Sequence, residues 1–205
     1  MRKLLLCFMI SVGYAYADGI AALNAFLQSK NSTLSANFSQ TVFGSKKNKT
    51  SNGVMEISRP NKFRWQYNEE GQIIISDGEK IYIYDKPLQQ VTERKLDNSL
   101  GKSPALLLAG GSEIKKYYTV TAQPDSEGLE WISLTPKTVE DNNGFKVVQI
   151  GFTKTTQKLA QMKFIDSFNN KSIISFSQVK TGIRVPDSTF KFIPAKGVDV
   201  IQADS

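Results

Sequence analysis

The stretch Ile57-Ser58-Arg59-Pro60-Asn61-Lys62-Phe63-Arg64-Trp65-Gln66-Tyr67 decides the fold. Arg59-Pro60-Asn61 breaks one extended run from the next, because proline has no N–H to donate to a strand ladder, and asparagine suits the bend. Phe63, Trp65 and Tyr67 then alternate with Arg64 and Gln66, a period-2 pattern that puts large aromatics on one face of a strand. Ser76-Asp77-Gly78-Glu79 is a tight turn leading into a second aromatic strand, Ile81-Tyr82-Ile83-Tyr84-Asp85. These are consecutive antiparallel strands with more apolar bulk than a thin domain needs. The sheet either packs on helices or lines a pocket.

Outward from this centre the chain continues the same way. Asp18 caps a predicted helix running to about Gln28, with Ile20, Leu23, Phe26 and Leu27 on one stripe, ended by Asn31-Ser32-Thr33. Leu34, Ala36, Phe38 and Val42 alternate along a first strand, and 44–52 reads as a lysine-rich hairpin loop. Strands follow at 72–76, with Ile73, Ile74 and Ile75 buried, and at 81–85 and 88–94. Ser103 and Pro104 then look like the N-cap and first residue of a short helix, Ala105-Leu106-Leu107-Leu108-Ala109, stopped by Gly110-Gly111, with one more helical turn over 112–116. Strands resume at 117–122, 129–135, 145–152, 158–166 and 172–180, with turns at 124–128 and 141–144, and a terminal segment from Pro186 is anchored by Phe192 and Ile193. About ten or eleven short strands with segregated helices argue an α+β domain, helices on one face of an antiparallel sheet or partial barrel.

The 205 residues suffice for one domain with a real core. Arg2-Lys3, the apolar run Leu4 to Val12 and Ala15-Tyr16-Ala17 fit a secretory signal with its cleavage site, so residues 1–17 are expected to be removed and 18–205 to form the single domain; an uncleaved anchor is the alternative. The lone cysteine, Cys7, lies within the signal, too early for a lipidation site, so neither lipid nor disulfide is expected on the mature chain. No other stretch approaches transmembrane length. The formal charge of +7 becomes +5 without Arg2 and Lys3. Only Ser45-Lys46-Lys47-Asn48-Lys49 clusters; it is either a solvated hairpin tip or a contact for an anionic headgroup or acidic protein face. Nucleic acid is not an expected partner.

The chain has no histidine, which removes histidine-based acid–base catalysis, histidine metal sites and Ser-His-Asp arrangements, and a mature chain without cysteine has no thiol nucleophile. Glu69-Glu70, or Asp85 with Glu93, could serve a carboxylate-based hydrolase, although acidic pairs in turns are commonly just solvated. Leu100-Gly101-Lys102-Ser103 has the tail of a phosphate loop, but position 96 is leucine where the first glycine belongs. Asn31, Asn37, Asn48 and Asn170 open glycosylation sequons, relevant only in a host that uses them. No cofactor and no metal are expected. What remains is apolar surface.

The ordered set Gly53-x-Met55-x-Ile57-x-Arg59-Pro60-Asn61-x-Phe63-x-Trp65, Ile75-Ser76-Asp77-Gly78, Tyr82-x-Tyr84-Asp85 and Gln90-Val91-Thr92 resembles the periplasmic outer-membrane lipoprotein carrier family, LolA. The resemblance extends more weakly over nearly the whole mature chain. It implies an incomplete, half-open antiparallel β-barrel covered by a helical lid, and a monomeric periplasmic chaperone rather than an enzyme. Such a chaperone takes acylated lipoproteins from an inner-membrane ABC transporter, shields their acyl chains and delivers them to an outer-membrane receptor. By motif position, Arg59 would latch the lid by bonding backbone within Ala105 to Gly111, and Phe63 would serve cargo and transporter contact. Trp65, Tyr67, Ile75, Tyr82 and Tyr84 are candidates for lining the cavity or for the packed sheet, and the inward face of each strand is left open. Leu106, Leu107 and Leu108 are lid candidates, with Gly110-Gly111 a hinge or a plain helix stop. A relative that senses lipids or lipoproteins in the envelope is the alternative within the fold.

Overall fold

A computed structural model of the chain describes residues 18–28, 33–96, 103–111, 114–137 and 144–203. The expected signal and cleavage site, the helix-ending Asn31-Ser32, positions 97–102 and the turn at 141–143 lie outside the described residues.

Helix α1 is Asp18–Gln28. A meander follows of β1 (Thr33–Phe43), β2 (Lys49–Ser58), β3 (Lys62–Tyr67), β4 (Gln72–Asp77), β5 (Lys80–Asp85) and β6 (Gln90–Lys95). Two short helices, α2 (Pro104–Ala109) and α3 (Ile114–Tyr117), separate it from β7 (Tyr118–Ser126), β8 (Leu129–Pro136), β9 (Phe145–Thr153), β10 (Leu159–Asp166) and β11 (Lys171–Thr181). The last strand, β12 (Asp199–Gln202), follows a 3-10 turn over Asp187–Phe190.

Among the described residues all twelve strands form one sheet in the order β12-β6-β5-β4-β3-β2-β1-β11-β10-β9-β8-β7. The ends β12 and β7 do not meet, so the barrel is unclosed. The long strand β1 joins the two halves, pairing antiparallel with β2 on one side and β11 on the other. The structure has one or two strands more than the ten or eleven expected. The extra strand is β12, parallel to β6, with all four residues exposed. A short edge strand with no buried face leaves no alternation to read. The expected turn at 124–128 is also shorter: β7 runs through Pro124 to Ser126, and only Glu127-Gly128 turns. Proline is tolerated there because β7 is an edge strand. The lysine-rich loop is likewise confined to 44–48, since β2 starts at Lys49.

Cross-strand register assigns the faces. Ile57 pairs with Phe63, Phe63 with Ser76 and Ser76 with Ile81, while Met55 pairs with Trp65, Trp65 with Ile74 and Ile74 with Ile83. These positions share the concave face, and their apolar members belong to the main core or pack against it together with Leu34, Ala36 and Phe38 of β1. The helices divide the concave face between them: α1 packs on β7, β8 and β9, and α2 on β2 and β3. Leu23, Phe26 and Leu27 bury the predicted stripe of α1, with Ile20 partly covered.

Candidate functional site

The β2–β3 turn holds the two helical covers together. The Arg59–Pro60 bond is cis and Asn61 sits at φ 65°, a conformation asparagine accepts more readily than most residues. Arg59 then reaches up from the concave side. Its Nε donates to the carbonyl oxygen of Leu108 at 3.0 Å, and the guanidinium carbon lies 4.2 Å over the centre of the Phe26 ring. One residue therefore touches α2 through a charge-assisted hydrogen bond and α1 through a cation–π contact. The Asn61 backbone N–H donates to the Ala109 carbonyl at 2.9 Å, a second tie to the same helix end. Arg59 Nη2 is buried without a hydrogen-bond partner, and burial brings the guanidinium pKa down to about 10.

Helix α2 is built as its sequence specifies. Ser103 Oγ accepts the Leu106 N–H at 3.1 Å, Pro104 occupies the first turn, and the Gly110 N–H closes on the Leu106 carbonyl at 2.8 Å. Ala105, Leu106, Leu107, Leu108 and Ala109 are all buried against the sheet. An α-helix of this length is marginal alone, so packing and the two ties to the β2–β3 turn hold it in place. Gly111 follows at φ 58°.

Beneath the covers, Trp65 and Tyr67 lie in an aromatic group. Phe38 is 4.4 Å from Trp65 and 5.2 Å from Tyr67 between ring centres, and Phe176 stands edge-on to Trp65 at 6.3 Å. The Tyr67 hydroxyl donates to Gln40 Oε1 at 2.7 Å, and burial pushes its pKa up to about 12. Beside Arg59 a cavity of about 220 Å³ opens between α1, β1 and the β9–β10 turn, with Phe26, Leu34, Leu159 and Val179 among its walls.

Phe63 is wholly buried in the core. The other three lining candidates lie elsewhere. Ile75, Tyr82 and Tyr84 belong to the opposite, convex face, since Arg64 pairs with Ile75, Ile75 with Tyr82, and Ile73 with Tyr84. Segment 186–193 crosses that face: Phe192 stacks on Tyr82 at 5.7 Å and contacts Tyr84 at 5.2 Å, and the 3-10 turn packs on β3 and β4. These residues anchor the C-terminal segment and stay outside the covered interior. Phe26, Phe38, Gln40 and the Asn61 amide complete the site without having been singled out by sequence. Phe26 and Phe38 carried the signal of apolar positions, on the stripe of α1 and the alternation of β1, and Asn61 lies in the Arg-Pro-Asn motif; Gln40 carried none.

The candidate carboxylates are engaged in local structure. Glu70 binds Ser51 and lies 3.3 Å from Lys49, which holds its carboxyl below the usual range, with Ser51 the larger cause. Glu93 pairs with Lys80, and Asp85 accepts the Leu88 N–H at 3.1 Å. Among the described residues no group of three or more acidic, histidine or cysteine side chains could hold a metal.

An open antiparallel sheet whose apolar concave face is covered by two helices has the architecture of a binding fold that could hold an apolar ligand. Residues 29–193 match the family model for the outer membrane lipoprotein carrier protein LolA. The chain is 41% identical over 191 residues to the outer-membrane lipoprotein carrier protein of Chromobacterium violaceum, covering 93% of this chain and 90% of that protein. It is 38% identical over 198 residues to the same carrier of Dechloromonas aromatica, covering 95% and 93%. It therefore belongs to the outer-membrane lipoprotein carrier family. The fold is shared with an uncharacterised conserved protein of Thermus thermophilus, at a TM-score of 0.56 and 9% identity over 91% of this chain and 98% of that one.

Proposed function

We propose that this protein carries acylated lipoproteins through the periplasm: it receives them from an inner-membrane ABC transporter, buries their acyl chains under α1 and α2, and hands them to an outer-membrane receptor. The observation that carries this reading is Arg59, which joins both covers over an apolar interior through one hydrogen bond and one ring contact. Each buried methylene is worth about 0.8 kcal/mol, so a long acyl chain needs an apolar host to leave a bilayer. The covers must move to provide one. The cavity beside Arg59, about 220 Å³, is smaller than ordinary small-molecule sites. In the empty protein the leucines of α2 fill the space instead, and Arg59 holds them there. Lid and cargo then compete for the concave face, which keeps cargo affinity low enough for handover.

The role assigned to Phe63 follows from its place under α2: moving the lid exposes it to incoming cargo. Trp65 and Tyr67 line the acyl site. Ile75, Tyr82 and Tyr84 do not. The test is a release assay. Inner-membrane vesicles carrying labelled lipoprotein and the transporter are mixed with protein spanning 18–205. A soluble one-to-one complex that forms only with ATP supports the reading. No release by a folded protein that still binds free lipid refutes it.

A further inference from the structure

The loops at the end of the sheet remote from Arg59 carry a pattern the lipid cavity does not use. Arg59 and the loop 44–48 flank opposite ends of β2, about 30 Å apart at strand spacing. At the far end the β10–β11 turn presents Phe168 with 84% of its surface exposed. This is not a loose side chain on a loose loop. Asp166 accepts the Phe168 N–H at 2.9 Å, the Asn170 N–H at 2.8 Å and the Asn170 side-chain amide at 2.9 Å, and the Lys146 ammonium donates to Asn169 Oδ1 at 2.7 Å. On the neighbouring strands Phe43 is 37% exposed, and the Lys171 ammonium lies 5.6 Å from its ring centre. Lys46 and Lys47 are exposed on the adjoining loop. Two rings thus stand among Lys46, Lys47, Lys146 and Lys171. Asp166, Glu69 and Glu70 offset part of this charge, and with Lys49 included the rim keeps a positive excess, five lysines against three acids.

We propose that this rim docks the protein on an anionic phospholipid surface, with Phe168 entering the headgroup region and the lysines contacting lipid phosphates. Phe168 and the partly exposed Phe43 make too small an apolar patch to fill a protein partner's pocket, but they fit a fluid interface, where aromatic rings rest at headgroup depth and lysine stems extend towards charge. Lysines spread over one loop and the ends of three strands suit a smeared negative potential better than fixed acidic positions. Docking this way leaves the latch end pointing away from the bilayer and open to other proteins. The inference concerns the empty protein and does not depend on cargo binding.

Vesicle co-sedimentation tests it, using vesicles of phosphatidylcholine alone and of phosphatidylcholine with about a third phosphatidylglycerol, both free of lipoprotein and transporter. The expected result is binding to the anionic vesicles only, weakened by raising salt from low to physiological strength. Lys46→Gln with Lys47→Gln should lower the partition coefficient by about fivefold per lysine, and Phe168→Ala should lower it severalfold. All three side chains are exposed, so these variants should keep the wild-type circular dichroism and melting temperature. Equal binding to both vesicle types, no binding to either, or wild-type binding by the folded variants would overturn the proposal. The release assay is scored separately, so failure of one reading does not pass for failure of the other.

Discussion

Replacing Arg59 with leucine should open the lid without unfolding the protein. The losses are the hydrogen bond to Leu108, about 1.5–3 kcal/mol for a charged donor, and the stacking on Phe26, about 1–2 kcal/mol. Against them stands the cost of burying the guanidinium. The fall of its pKa to about 10 from the ordinary guanidinium range corresponds to about 3 kcal/mol at 1.36 kcal/mol per tenfold, and leucine adds apolar contact. The global terms nearly cancel, so the melting temperature should stay within about 5 °C of wild type. The lid has no such compensation. It loses one of its two ties to the β2–β3 turn and keeps the Asn61 N–H bond to Ala109. The open fraction should rise by about tenfold to a hundredfold, the equivalent of 1.5–3 kcal/mol. Hydrogen exchange reads this at the Leu107 amide, bonded to the Ser103 carbonyl, and at the Gly110 amide, bonded to Leu106. On the proposed competition between lid and cargo, the variant should also hold lipoprotein more tightly, by up to the same factor, and hand it to the acceptor less readily. Unchanged exchange at these amides, or transfer to the acceptor at the wild-type rate, would refute the latch.

Three further expectations follow from the same structure. Ser103→Ala removes the N-cap of α2 and should cost about 1 kcal/mol, seen as about fivefold faster exchange at the lid amides and a melting temperature about 2–4 °C lower. Gly53→Ala should be far more damaging: a Cβ there would lie 2.0 Å from the Gln66 carbonyl oxygen and 2.5 Å from Phe38 Cζ, so β2 and β3 must separate, at about 3 kcal/mol in chemical denaturation. For Tyr67, the neutral form is favoured in the folded protein and the unfolded chain ionises near 10. Its contribution is therefore intact below pH 10 and is lost as pH rises from 10 towards 12. Absorbance titration of the phenol, compared between wild type and Tyr67→Phe, should show one tyrosine titrating near 12.

Helix α2 was legible almost residue by residue, because Ser103, Pro104 and Gly110 are local signals whose meaning needs no tertiary context. The strand sequence was legible for the same reason, from alternation and turn residues. The inward face was not. Period-2 alternation marks two faces without saying which is covered, and here both are: the helices bury Trp65, while 186–193 lies over Tyr82 and Tyr84. Burial on both sides removes the contrast between apolar and polar positions that would have separated Ile74 from Ile75. Register resolves it, since Phe63, Ser76 and Ile81 are paired in turn across β3, β4 and β5. The stacking of Arg59 on Phe26 joins positions 33 residues apart in a contact no local pattern encodes. The edge strand β12 was missed because its pairing is parallel and its side chains are exposed on both faces.

The placement of acyl chains on the concave face is tested most directly by the two tryptophans. Trp65 lies in the main core under the covers, whereas Trp131 is buried outside it, with its indole N–H donating to the Ser126 carbonyl at 3.1 Å. A lipopeptide with brominated acyl chains, added to Trp131→Phe and Trp65→Phe variants, reports contact with each ring separately. The account predicts strong, saturable quenching of Trp65 and almost none of Trp131. Quenching of Trp131 alone, or of neither when the lipopeptide is bound, would place the chains elsewhere and contradict it.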